Sequence, residues 1–259
     1  MLWPLAMILI SMLPAQDSGK VSEKDQLRQK ALAIVEESIK ALGDARFRQV
    51  QAIQSRGHYY IFKKGEMAGV AKFTDQTQLP DKSRFQLGEG KDKEVTVFDL
   101  SREKGWHMEG KKDIKEATAD DMKQFHQAAR HSIDNLLRKR LTETGMNFFY
   151  YGASELAGKN DADAVEMIDA ENDSVVVYFD RKTFFPVRIE YVTVDIRGNK
   201  QKEATEFYNW HNIQGVMTPL RLDNFAEGQL ASQLFIDEVI YNSPAALNAA
   251  TYAQPVPEK

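Results

Sequence analysis

The stretch from Val175 to Glu190 constrains the fold most. Five β-formers, Val175-Val-Val-Tyr-Phe179, run into the polar turn Asp180-Arg-Lys-Thr183, then Pro186, then a second run that alternates in polarity. That pattern is a β-hairpin. The second half of the chain repeats the plan, with strands expected at 146–151, 164–168, 175–179, 187–194, 203–210, 216–225 and 233–241. Turns rich in Asn, Asp and Gly join them, at 158–161, 171–173, 195–199, 212–215 and 227–228. The first half adds 54–62, the turn Lys63-Lys64-Gly65-Glu66 and the return strand 70–74. Leu79-Pro80-Asp81-Lys82 is a further turn, followed by short strands at 83–87 and 94–98 and around Trp106 and Met108. Turns at roughly ten-residue intervals favour an antiparallel barrel or sandwich over a parallel sheet with crossover helices.

Two segments change period. Residues 21–42 carry Leu27, Ala31, Ile34, Val35 and Ile39 three and four apart and stop at Gly43, which reads as a helix, with a second short one expected over 44–53. Residues 118–141 open on Thr118 with Asp121 three positions on, a capping-box start. They carry Met122, Phe125, Ala129, Ile133, Leu136 and Leu137 on one stripe and end on Arg138-Lys139-Arg140, where the helix dipole favours cations. Such a helix packs on the open side of a curved sheet. The four aromatics Phe148 to Tyr151 put two rings on each sheet face, which calls for helix cover or a ligand. Residues 16–243 read as one domain, and 244–259, with three prolines, as a strap or tail.

Residues 2–13 are almost wholly apolar and precede Pro14-Ala15, the pattern of a signal peptide over 1–15. Spanning a bilayer takes about 20 apolar residues. The expectation is therefore an exported chain, soluble once cut, that keeps the net charge of −4 because 1–15 holds no charged side chain. That charge argues against nucleic-acid binding. The absence of cysteine excludes disulfides and thiolate metal sites. His126 and His131 lie about 140° apart around a helix and cannot share a metal. No nucleophile elbow or phosphate-cradling loop is present, so the expectation is neither enzyme nor metalloprotein, with no catalytic residue and no cofactor.

Asp180-Arg-Lys-Thr183-Phe-Phe-Pro186-Val-Arg188 resembles the Asp-x-x-Thr-x-x-Pro-x-Arg hairpin of the LolA/LolB-like periplasmic lipoprotein carriers and the outer-membrane lipoprotein-sorting proteins related to them. A second match runs from Tyr208 to Arg221 through Gly215-Val216 and Pro219, with fainter echoes at 41–44, 98–106 and 236–255. The resemblance implies an α+β fold, a strongly curved antiparallel sheet forming an unclosed barrel of about eleven strands with helices over its concave face. It also implies a cavity for acyl chains, and a lipid or an acylated lipoprotein as partner, reached through transient contact with a membrane surface in the periplasm. The alternative on the same fold is a non-catalytic sensory module that binds an envelope protein. The expected cavity liners are Tyr60, Phe62, Phe85, Phe149, Val177, Phe179, Ile189, Leu220 and Leu222 from strands, and Met122, Phe125, Ile133 and Leu136 from the helix. Arg188 and Arg221 are expected in structural ion pairs. The chain departs from the carriers in three places: they put an arginine that latches the helical lid before the early proline, where Leu79 stands, and Phe184 and Leu100 replace glycines usual after Thr183 and Asp99.

Overall fold

The computed structural model describes residues 22–110, 113–156, 161–194 and 197–256. The expected signal peptide and its cleavage region lie outside them. The chain begins with α1 (Glu23–Leu42), capped by the Ser22 hydroxyl, which accepts from the Asp25 amide. Its buried face is Ala31, Ile34, Val35, Ser38, Ile39 and Leu42, whereas Leu27 points to solvent. Gly43 ends it at φ 125°, and a Cβ there would lie 2.5 Å from the Gly215 carbonyl oxygen, so only glycine fits. The expected second helix is a single turn, α2 (Ala45–Arg48).

Six strands follow as a meander: β1 (Ala52–Lys63), β2 (Glu66–Gln78), β3 (Lys82–Leu87), β4 (Glu94–Asp99), β5 (Lys104–Glu109) and β6 (Asp113–Glu116). The helical segment comes next, as α3 (Ala119–His131), α4 (Ile133–Asn135) and a π-helical turn (Leu136–Arg140). Seven more strands complete the sheet: β7 (Asn147–Glu155), β8 (Asp161–Ile168), β9 (Ser174–Asp180), β10 (Pro186–Val194), β11 (Lys200–Ile213), β12 (Val216–Ala226) and β13 (Gln229–Tyr241). The order β6-β5-β4-β3-β2-β1-β13-β12-β11-β10-β9-β8-β7 makes one 13-stranded antiparallel sheet. It is not closed. Its two edges, β6 and β7, are consecutive in sequence, and the helical segment joins them.

The sheet has two more strands than the resemblance implied, and several strands are longer than the turn spacing suggested. Bulges interrupt several of the pairings. The β1–β13 register slips at Arg56/Gly57, leaving Asp237 as an extra residue, so side chains at 234 and 236 share a face with those at 239 and 241. The strands approach closely at this bulge, where a Cβ on Gly57 would sit 2.0 Å from the Phe235 carbonyl oxygen.

The expected helix over 118–141 is also interrupted. Its start has the capping box, with Thr118 Oγ1 accepting from the Asp121 amide and Asp121 returning the bond to the Thr118 amide. At Ser132 the backbone turns extended (ψ 132°), and the stripe resumes one turn later, with Leu136 and Leu137 fully buried.

The main core lies between α1 and the concave face of the sheet. A second cluster lies on the opposite face, where Val95, Val97 and Met108 pack against Tyr252. Residues beyond β13 form α5 (Pro244–Leu247) and a 3₁₀ turn (Ala249–Tyr252) across that face. Tyr252 is wholly buried, and its hydroxyl donates to the Ala246 carbonyl at 2.7 Å. Tyr252→Phe leaves that carbonyl unpaired at constant shape and is expected to lower stability by about 1 kcal/mol, read from the urea midpoint at unchanged m-value.

Candidate functional site

A cavity of about 390 Å³ lies under α3 and α4 on the concave face, a size typical of small-molecule sites. Its floor is β1, β2, β3, β11, β12 and β13, and its roof carries Phe125, Ala129, Ile133 and Leu137. The walls are largely apolar: Phe73, Phe85, Phe207, Trp210, Leu222, Leu234, Ile236 and Val239. Phe207 and Trp210 both reach it although three residues apart, because Asn209 between them is left-handed (φ 54°) and interrupts the alternation.

Phe85, Phe125, Ile133 and Leu222, four of the residues expected at a cavity, line this one. Val177, Phe179, Ile189 and Leu136 do not; they are buried in the main core, in one cluster with the inner face of α1. Leu220 packs against the same core. Tyr60 faces the other side of the sheet, its ring 5.4 Å from that of Phe235, because the cavity face of β1 carries the odd-numbered residues Ile53 and Ser55. Phe62 follows the β1–β2 bulge at Ile61 and is not in the cavity wall. Phe149 is one residue off register, since Phe148 is the buried ring of β7. Met122 packs over Gly105 outside the cavity.

Polar groups gather in one part of the cavity. Asp75 and Thr77 on β2 sit opposite Ser55 and Ile53 of β1 and Phe85 and Ser83 of β3, all of them cavity residues. The Thr77 hydroxyl donates to the Asp75 carboxylate (3.2 Å). Burial pushes the Asp75 carboxyl up to about 7, against the opposing effect of hydrogen bonds from Thr77 and the Gln76 amide. Among the described residues no ion pair offsets that burial. In the roof, Arg138 pairs with Asp134, donates to the Phe47 carbonyl at 3.0 Å and lies 3.9 Å over the Phe47 ring. Burial lowers its guanidinium to about 10, though Tyr241 opposes the shift. Asn135 donates from Nδ2 to the carbonyls of Pro80 (2.9 Å) and Ala129 (2.8 Å).

The roof is held to the sheet without the arginine that the carriers place before the proline. Leu79 is itself a wall residue, and Asn135 grips the Pro80 carbonyl instead. A second anchor is the β8–β9 turn. Asp169 accepts the amides of Glu171 and Asp173 on one oxygen and the guanidiniums of Arg130 and Arg140 on the other. Burial alone would raise this carboxyl, but those donors hold it at about 2. His131 lies 2.8 Å from Asp173 and stacks on Tyr191.

Other sequence candidates lie elsewhere. Arg188 bonds Glu190 and Glu206, each at 2.6 Å, and Arg221 bonds Asp223 at 2.7 Å, in an ion-pair ladder on the face away from the cavity. His58, His107 and His211 stand on β1, β5 and β11, none of which are neighbours. No group of three His, Asp or Glu suited to a metal gathers among the described residues. No helix among the described residues is long and apolar enough to cross a membrane.

No protein-family model matches the sequence, and no curated protein matches it either. Solved structures do. A putative outer membrane lipoprotein-sorting protein domain from Vibrio parahaemolyticus aligns over 87% of this chain and 97% of its own, with TM-score 0.53 and 12% identity. A LolA superfamily protein from Nitrosomonas europaea aligns over 86% and 97%, with TM-score 0.51 and 11% identity. The chain has a LolA-like fold. A DUF1329 family protein from Desulfovibrio piger shares it, at TM-score 0.56 and 11% identity over 86% of this chain and 99% of its own. Identity this low makes the likeness one of architecture, and the LolA-like sheet with its helical cover is what the two sequence hairpins implied.

Proposed function

We propose that this protein is an acyl-chain carrier of the cell envelope, exported to the periplasm and acting there on a lipid or an acylated lipoprotein. The observation that carries the reading is the apolar cavity beneath the α3–α4 roof. Burying a chain there yields about 0.8 kcal/mol per methylene, so ten methylenes contribute about 8 kcal/mol before the cost of association. Affinity of that kind needs no cofactor. The apolar start of the sequence supports export, and the printed descriptions of the Vibrio and Nitrosomonas proteins support a part in lipoprotein sorting.

Mass spectrometry of organic extracts of the purified protein tests the reading directly, with an acyl lipid expected in near-stoichiometric amount. Filling the cavity provides the control. Ala129→Phe projects a ring from the roof into the space an acyl chain would take, and is expected to weaken binding of a fluorescent fatty-acyl probe about tenfold or more. Equal probe affinity in the variant would place the binding outside this cavity and sink the proposal.

A further inference from the structure

The cavity described above is apolar in most of its wall, yet it contains a carboxylate that the fold does not neutralise. Asp75 lies three residues before the end of β2, is part-buried and lines the cavity. Its one side-chain partner is the Thr77 hydroxyl, and none of the ion pairs among the described residues includes it. Of the other charged groups of the wall, Lys82 pairs with Asp99 and Arg138 with Asp134, while the buried donors Arg138 Nη1 and Trp210 Nε1 make no hydrogen bond among the described residues. A second buried acceptor is also open. Asn135 is 4% exposed and spends both Nδ2 protons on the Pro80 and Ala129 carbonyls, while its Oδ1 has no partner. Pro80 lies just past the end of β2, so both open acceptors belong to the Thr77 side of the cavity. A buried acceptor without a donor is unfavourable, and a buried carboxylate without a cation more so. A bound molecule that brings N–H donors relieves both.

We propose that the ligand is an amphiphile with a protonated amine in its head, whose ammonium pairs with Asp75 and whose chain lies along Phe207, Leu222 and Leu234. The proposal rests on the carrier reading and narrows its ligand class. Dispersion and water release hold the chain, without regard to head group. Asp75 then selects among heads: an ammonium is attracted, an alcohol is tolerated, and a carboxylate is repelled by like charge at short range.

Displacement of a fluorescent acyl probe from the purified full-length chain tests this, at pH 8 and below the micelle concentration. The competitors are dodecylamine, dodecanol and laurate, which share one chain. The expected order is amine over alcohol over laurate, with the amine preferred about tenfold or more over the alcohol. In Asp75→Asn that preference is expected to fall to near unity, with cooperative thermal unfolding confirming that the variant is folded. Equal binding of amine and alcohol by the unmodified protein overturns the proposal, as does an amine preference that survives in folded Asp75→Asn. A preference for laurate overturns it too, by indicating that Asp75 acts as a protonated donor. If none of the three displaces the probe, or no probe binds, the carrier reading fails and this proposal with it; loss of the head-group preference alone leaves the carrier reading standing.

Discussion

Asp169→Asn is expected to destabilise the protein by about 3–5 kcal/mol at pH 7, the loss that follows when one partner is removed from a buried ion pair. The carboxylate is 5% exposed and carries four hydrogen bonds. An asparagine can keep the two turn amides on its oxygen, but it then presents an NH2 group to Arg130 and Arg140. Two guanidiniums lose their shared anion, one of them on the π-helical turn and one on α3. The pH dependence carries the same signature. The group titrates near 2 in the folded protein against 3.8 for an ordinary aspartate, so its stabilisation is complete above pH 4 and drains away as pH falls toward 2. That segment is worth about 2 kcal/mol. Urea unfolding at pH 7 and at pH 3 measures both effects. A loss under 1 kcal/mol at pH 7 would show that this turn does not hold the roof.

Asp75→Asn is expected to act in the opposite direction. Its folded carboxyl titrates near 7 against an ordinary 3.8, so the folded state holds this proton more tightly than the unfolded chain does. Stability is therefore greatest below pH 4 and declines as pH rises from 4 to 7, by up to about 4 kcal/mol for a three-unit difference. Asparagine is nearly isosteric and never ionises. The variant should match the parent near pH 4 and exceed it by about 2–4 kcal/mol at pH 8, in unfolding curves recorded without added lipid. A variant that is less stable at pH 8 would mean that the carboxylate has a stabilising partner.

The contrast between these two aspartates shows how far the sequence could be read. Asp169 and Asp173 flank an Asn/Asp turn that the sequence marks as a turn, but their meeting with Arg130, His131 and Arg140 joins segments about 30–40 residues apart, and no local pattern encodes it. Asp75 lies in Thr74-Asp75-Gln76-Thr77-Gln78, polar on both faces, so alternation gives no sign of which residues point inward. Where one face is apolar more could be read. The helical stripe named Phe125 and Ile133, which line the roof, together with Met122 and Leu136, which do not, and the two hairpins with Asp180, Pro186 and Pro219 led to the LolA-like architecture. Phe149 and Tyr60 show the limit of strand patterns, since a shift of one residue reverses the face. Val177, Phe179 and Ile189 show another. They point inward, but whether an inward residue meets a helix or a hollow depends on where α1 lies, and that is settled by packing between distant segments.

The connection between the two sheet edges has a mechanical consequence. The thirteen strands bend like a bow, and the segment from Thr118 to Met146 is strung between the tips, tied to one end through β6 and to the other through β7. Because it is held at both ends, its position is linked to both edges of the sheet at once. The break at Ser132 and the π turn at Leu136–Arg140 are the two points along the string where its helical course changes.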